Sequence, residues 1–399
     1  MHIFSERMSS LQPSIIREIF KYTADPTVIS FAAGNPAPEA FPVETIAKLT
    51  NDILQTNPVT ALQYAISEGY APLRDWVKED LGKKGIFNPD DDDIIITAGA
   101  QQVMEIMTKL VCNEGETIIC EAPTFIGSLN SFRSYNANLV GVPMDDEGID
   151  PEKLEAALKA NPKTAFVYLI PNFQNPTGRT MSLQRRKTVL QLAERYRVLI
   201  VEDDPYGDLR FAGADIPTLK ALDALNDSRR VVYAGSFSKT LAPGLRVGFM
   251  CGAQNITQKA VVCVQASTVH TAVLPQMLVH KFVTQTDFEK HKEILRLLYK
   301  SKCKLMLDCL NFSMPLSIEF TQPQGGLFIW GTLPHGDMVG FCKKAIENKV
   351  AIVPGNAFLV DEKEQSLSFR LNFSAPSNEQ IEQGVERLAV IAKEMYGDN

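Results

Sequence analysis

Six short apolar runs punctuate the middle of the chain, at 94–97, 117–120, 165–170, 198–201, 231–234 and 247–251. None shows the apolar–polar alternation of a half-exposed strand. They therefore predict strands covered on both faces, as in a mostly parallel sheet. Helix patterns fall between them. Residues 102–111 set Val103, Ile106, Met107, Leu110 and Val111 on one stripe, and 182–196 opens on Ser182, a good N-cap residue. The last third differs. A long charged helix pattern at 287–310 precedes strand patterns at 317–321, 327–330 and 367–373, and a final helix is expected over 378–395. A further helix is expected over 11–21. The pattern predicts an α/β chain in which a large unit with a mostly parallel sheet flanked by helices is joined by a smaller α+β unit.

Composition narrows this picture by exclusion. With 399 residues, 45% hydrophobic and 22% charged, the chain can bury a sizeable core without metal or disulfide staples. Its formal charge of −7 speaks against a general nucleic-acid binder, which would carry a basic stripe. Seven cysteines, with no Cys-x-x-Cys pair, fit neither a disulfide framework nor a zinc site, and are expected as reduced thiols in a cytoplasmic protein. The first residues lack the basic and apolar segments of a secretory signal. No apolar run reaches the length of a membrane span. The acidic run 90–93 is expected as a solvated turn ahead of a strand.

The candidate chemistry begins at Ser236-Phe237-Ser238-Lys239-Thr240-Leu241-Ala242-Pro243-Gly244-Leu245-Arg246-Val247-Gly248. This segment joins two predicted buried strands, and strand ends in α/β sheets are where ligands collect. Two hydroxyls and a guanidinium around one amine suit a phosphate-bearing aldehyde such as pyridoxal phosphate held on Lys239 as a Schiff base. Three adjacent acids, Glu202-Asp203-Asp204, follow the run 198–201; only alternate side chains would share a face, which weakens a metal site there. Backbone N–H groups at the start of the helix after Thr97-Ala98-Gly99-Ala100-Gln101 suit a phosphate. Arg370 sits in an apolar strand, which is costly unless it is paired; its planar fork fits a carboxylate.

The run Ser-x-Ser-Lys-x-x-x-Pro-Gly-x-Arg-x-Gly resembles the cofactor-lysine motif of fold type I pyridoxal-phosphate enzymes, specifically the class I/II aminotransferases. Asn175-Pro176-Thr177-Gly178, the Asp-x-x-Tyr of Asp203 and Tyr206, and Gly99-Ala100-Gln101 match the same family. The resemblance runs from about Ile29 to Phe373 and implies an aspartate-aminotransferase-like fold. We expect a large cofactor-binding domain over 40–285 and a small domain from 1–39 and 286–399. It implies that Lys239 holds the aldehyde carbon and moves the substrate's Cα proton. Ser236, Ser238, Arg246, Ala100 and Gln101 would bind the phosphate, and Phe125 would stack on the ring. Asp203 would partner the pyridine nitrogen, with Asp204 as its competitor for that place. Asn175 and Tyr206 would hold the phenolic oxygen, while Gly34, Asn175 and Arg370 would meet the substrate. Tyr64 would reach the phosphate of a neighbouring subunit, implying a homodimer with shared active sites.

In detail the chain is similar to the branch holding 2-aminoadipate and kynurenine aminotransferases and MocR-type regulators, through Glu-Asp-Asp-Pro-Tyr at 202–206, Leu-Gln-Tyr at 62–64 and Pro-x-Gly-Gly-Leu-Phe-Ile-Trp at 323–330. The implied reaction moves an amino group from an L-amino acid (2-aminoadipate, aromatic or broad in range) to a 2-oxo acid such as 2-oxoglutarate. A C–S lyase or decarboxylase on the same fold, and a non-catalytic MocR-like sensor, are the alternatives. The family pattern begins within the first 35 residues, leaving no room ahead of it for a regulator's DNA-binding domain, so a free-standing enzyme is expected. A Rossmann dinucleotide enzyme would need a Gly-x-Gly-x-x-Gly turn after an early strand, and there is none.

Overall fold

The structure, a computed structural model, describes residues 5–9, 25–226 and 228–397. The helix expected over 11–21 lies outside the described residues. A two-residue strand, β1 (Ile29–Ser30), comes first. The large sheet follows: β2 (Asp92–Thr97), β3 (Thr117–Ala122), β4 (Asn138–Asp145), β5 (Gly148–Ile149), β6 (Thr164–Leu169), β7 (Leu199–Asp203), β8 (Val231–Ser236) and β9 (Gly248–Ala253). The last third adds β10 (Glu319–Phe320), β11 (Phe328–Thr332), β12 (Val350–Ala351), β13 (Val353–Pro354) and β14 (Ser368–Asn372).

In the large sheet the strands lie in the order β2-β9-β8-β7-β6-β3-β4-β5. Pairs β8·β7, β7·β6, β6·β3 and β3·β4 are parallel, and β9 runs antiparallel to both β8 and β2. The six apolar runs are six of these strands. Successive residues along them feed opposite cores: in β6, Phe166 and Tyr168 join Ile95, Val103 and Phe132, whereas Val167 and Leu169 join Ile119, Val189 and Leu190. That two-sided burial is why no polar alternation marks them. β4 escaped the pattern because most of its residues are half-buried or exposed.

The helices begin where the sequence supplies caps. Ser182 Oγ accepts the N–H of Arg185 to open Leu183–Tyr196, Asp287 caps Phe288–Ser313, and Ser377 with Gln380 forms a capping box for Asn378–Tyr396. The small sheet has the order β10-β11-β14-β13 and packs under these last helices around Tyr299, Phe341, Phe369 and Leu388.

The acidic run departs from expectation. Asp90 is exposed, but β2 already starts at Asp92, whose carboxylate is buried and accepts from the equally buried Lys220 ammonium at 2.8 Å. Asp91 pairs with Arg229, and Asp93 with Arg74 and Lys78. Cations brought from distant positions compensate the run, which a local reading cannot foresee.

Removing one partner of a buried pair strands the other charge, which costs about 3–5 kcal/mol. Lys220→Ala is therefore expected to lower the unfolding free energy by that amount in urea titration, with a Lys220→Met/Asp92→Leu double variant recovering most of it.

Candidate active site

One edge of the large sheet carries the chemistry. The carboxyl ends of β2, β3, β6, β7 and β8 share it, because β9 returns antiparallel with Gly248 level with both Ser236 and Thr97. No crossover helix separates β8 from β9. The connecting segment, with Lys239 in it, is therefore held at that edge.

Lys239 is half-buried, and its Nζ donates to the Gly34 carbonyl at 2.8 Å. Burial, reinforced by the positive charges of Arg370 and Arg246, pulls its pKa down to about 8. Two residues before Gly34, the Ala32 carbonyl accepts from Arg370 Nη2 at 2.6 Å. A single extended segment thus offers a carbonyl to each cation.

Asp203 ends β7 and is 5% exposed. Its Oδ2 accepts from the Tyr168 hydroxyl at 2.7 Å, while Oδ1 is buried without a partner. Burial raises its pKa to about 7, against the lowering effect of the Tyr168 hydrogen bond and with a smaller push from Asp204. Asp204, the competing residue, has both oxygens engaged. Asn172 Nδ2 donates to one at 3.1 Å and the Tyr233 hydroxyl to the other at 3.0 Å, and Arg186 donates onward to Asn172 at 2.6 Å. Of these two acids, Asp203 is the one left with an open acceptor.

Arg370, in the middle of β14, is almost fully buried. Its Nη1 donates to Asn175 Oδ1 at 2.8 Å, Nε has no partner, and Phe328 and Phe358 face the guanidinium at 4.4 and 4.9 Å. Its pKa falls to about 10, chiefly through burial. Tyr206 is buried edge-on to Phe328, and burial lifts its phenol above the usual range.

The opposite wall is a glycine-lined cradle. Gly99 precedes the helix Ala100–Val111 with φ +77°, and a Cβ there would lie 2.5 Å from Arg246 Nη2. Arg246 itself has φ +53°, and its Nη2 donates to the Ala98 carbonyl at 3.0 Å. The Ser236 hydroxyl accepts the Ser238 N–H at 3.1 Å. Gln101 spends its carboxamide on Gly127 O at 2.8 Å and Ser131 Oγ at 2.6 Å, so it fastens the helix Ile126–Arg133 and leaves only its backbone N–H to the cradle. Phe125 immediately precedes that helix, its ring packed so closely over Gly127 that a Cβ there would lie 2.6 Å away. Tyr64 stands apart, 82% exposed and edge-on to His270.

An open buried carboxylate oxygen, an amine of lowered pKa and free N–H groups at a helix start fit a cofactor carrying a ring N–H, an aldehyde and a phosphate. Comparison with known proteins decides which. The family described as aminotransferase class I and II matches residues 26–388. The chain belongs to that family. An aromatic-amino-acid aminotransferase of Thermococcus litoralis is 38% identical over 98% of this chain and 94% of its own. A 2-aminoadipate transaminase of Thermus thermophilus is 38% identical over 96% of this chain and 95% of its own. The solved kynurenine aminotransferase of Pyrococcus horikoshii, in complex with PMP, superposes with a TM-score of 0.94 at 38% identity, covering 99% of this chain and 98% of that one. This is a pyridoxal-phosphate-dependent aminotransferase of the aspartate-aminotransferase-like fold.

Three buried residues of this aminotransferase site escaped the sequence reading. Tyr168 lay inside an apolar run, where a buried hydroxyl in need of a partner was the signal. Ser128 donates to it at 2.8 Å. Glu121, at the end of β3, accepts from Ile170 N and Gln174 Nε2, leaves Oε1 unpartnered, and is pushed by burial up to about 8. A cleft of 1280 Å³ lined by Trp76, Lys84, Asp208 and Lys292 reaches Ser236 and Thr240, yet none of Lys239, Asp203, Asn175 and Arg370 lines it. Two of its lysines are already paired: Lys84 with Asp80 and Asp208, Lys292 with Glu289 and Asp208.

Lys239 is a protonated, unreactive ammonium below its pKa and a nucleophilic amine above it. In the cofactor-free aminotransferase, labelling of Lys239 by an amine-selective reagent, followed by peptide mass spectrometry, is expected to be half-maximal near pH 8. A midpoint in the ordinary lysine range, near 10.5, would contradict the burial argument.

Proposed function

We propose that this aminotransferase takes its amino group from a broad set of L-amino acids, 2-aminoadipate and aromatic ones among them, and passes it to a 2-oxo acid such as 2-oxoglutarate. The carrying observation is Arg370. It is a buried guanidinium, its two hydrogen-bond partners are neutral oxygens, and no described carboxylate pairs with it. A buried cation without an anion is costly. An α-carboxylate common to amino acids and 2-oxo acids supplies that anion in planar, two-point fashion. The names of the relatives, aromatic-amino-acid and 2-aminoadipate, support the substrate range.

We assign the remaining roles as follows. Ser236, Ser238, Arg246 and the N–H groups of Ala100 and Gln101 hold the phosphate, and Phe125 covers the ring. Asp203 accepts from the ring nitrogen, and Asn175 with Tyr206 holds the phenolic oxygen. Gly34 and Arg370 orient the substrate. Pyridoxal phosphate, when bound, supplies the electron sink that makes the substrate's Cα proton labile and carries the amino group between partners. Lys239 Nζ would take that proton from Cα as a base and deliver it as an acid to the cofactor's aldehyde carbon; an amine with a lowered pKa is suited to both steps. We assign 40–285 to a cofactor-binding domain and, among the described residues of 1–39 and 286–399, the rest to a smaller domain, with the site between them.

The enzyme acts as a homodimer with shared sites, supported by the exposed apolar stretch Val59, Leu62, Tyr64 and Ile66, 56–82% exposed. Its seven cysteines are all free, which supports a reducing cytoplasm.

Mixing the reconstituted enzyme with twenty amino acids in turn, without oxo acid, is expected to bleach the cofactor's absorbance band with aromatic and acidic donors and to leave it in its amine form. No bleaching with any donor, or release of CO2 or sulfide in its place, would sink the proposal. The dimer is tested by mixing Tyr64→Ala and Lys239→Ala chains, each inactive alone. One intact site per heterodimer returns about a quarter of wild-type activity if two-fold subunits exchange freely, and no recovery despite verified exchange rejects the shared site.

A further inference from the structure

Tyr168 occupies the interior of β6, where the surrounding run is otherwise apolar. Phe132 abuts its ring edge-on at 5.3 Å, and Phe166 packs on Phe132 at 5.5 Å. The ring is held in one place by this aromatic cluster, and its hydroxyl is delivered to the end of β7, where it donates to Asp203 Oδ2 at 2.7 Å. Ser128 Oγ, from the helix Ile126–Arg133, donates in turn to Tyr168 at 2.8 Å. Tyr168 and Ser128 are fully buried. The chain of donors has one direction, from serine to phenol to carboxylate, and so each hydroxyl dipole strengthens the next.

We infer that Tyr168 and Ser128 are positioning residues for Asp203: they fix its carboxylate and satisfy one oxygen without neutralising it, so that Oδ1 keeps its charge for the cofactor's ring nitrogen. The inference rests on the reading of Asp203 as the ring-nitrogen partner. An Arg, Lys or charged His in the place of Tyr168 would hold Asp203 just as firmly but would balance its charge and compete with the ring. A phenol gives a hydrogen bond and no charge. Burial and the neighbouring Asp203 keep that phenol protonated, since both push its titration upward. Without it, the carboxylate would lose the one contact that opposes its protonation.

The other titratable groups around Asp203 cannot replace it. Asp204, the next residue, and Glu121, from β3, both disfavour a second negative charge. Tyr206 is coupled to Asp203 but is turned towards Asn175 and Arg370. The same helix that brings Ser128 follows Phe125 directly and accepts from Gln101 through Gly127 O. One element therefore joins the stacking ring, the cradle and the acid's support.

The test titrates cofactor-free full-length protein with pyridoxal phosphate across pH and reads the dissociation constant, with thermal unfolding of each variant alongside. Removing a hydrogen bond to a charged group costs about a tenfold factor or more, so Tyr168→Phe is expected to weaken binding about tenfold at pH 8. The sign of the pH effect follows from the donor favouring the charged acid: the acid-side midpoint of cofactor affinity should move up by about one unit. Ser128→Ala should move both in the same direction by less, and it carries the test if Tyr168→Phe does not fold. In an Asp203→Asn background the Tyr168→Phe effect should vanish. Unchanged affinity and midpoint in Tyr168→Phe, with or without a lowered unfolding temperature, would overturn the inference, as would an effect of full size in the Asp203→Asn background. If Asp203→Asn alone leaves affinity intact, the reading of Asp203 fails, which is a separate result.

Discussion

Burying a carboxylate without a cation is among the costlier things a fold can do, and Asp203 does so with one oxygen bare. Much else in this site is arranged around that imbalance. Asp204 is next in sequence, yet it is consumed by Asn172 and Tyr233, and Arg186 completes the group from behind. Asp203 is left with a phenol. Across the site, Arg370 and Lys239 show the opposite imbalance: both are drawn below their ordinary pKa by burial, and both rest on backbone carbonyls of the segment holding Ala32 and Gly34. Together these groups form the negative image of a ligand pair with a ring N–H, an aldehyde, a phosphate and a carboxylate.

The rest of the chain shows that such openness is local. Elsewhere the buried charges of Lys220, Glu202 and Arg186 have their hydrogen bonds filled. Lys220 meets Asp92, Glu202 accepts the N–H groups of Leu219 and Lys220, and Arg186 spends its guanidinium on three carbonyls and Asn172. The sheet makes the contrast possible. Its parallel strands end together, and the antiparallel return of β9 keeps the Lys239 segment at that edge without a crossover helix. Gly99 then lets Arg246 come close where any side chain would collide with its guanidinium.

What was legible in the sequence follows from range. Ser236, Ser238, Lys239 and Arg246 lie within eleven residues, and Asp203 with Tyr206 within four, so each group could be read as a unit. The buried strands were legible because both faces are apolar. The supports of the site were not. Tyr168 lies in an apolar run, and Ser128 in a stretch for which the sequence predicts no element; only the folding of β6 beside β7 brings Tyr168 to Asp203, with Ser128 behind it. Asp92 looked solvated because Lys220 is 128 residues away. The Gln101 carboxamide is spent on Gly127 and Ser131, partners that its own segment does not reveal. Local chemistry was visible in the order of residues, whereas second contacts depended on pairings across the sheet.

The account turns on one covalent attachment at one residue. Reducing the cofactor-loaded protein with borohydride, digesting it and mapping the modified peptide by mass spectrometry reads that attachment directly. The account predicts the phosphopyridoxyl mass on Lys239 and on no other lysine. Its appearance on a different lysine, or its absence from a protein that retains the cofactor, would contradict it.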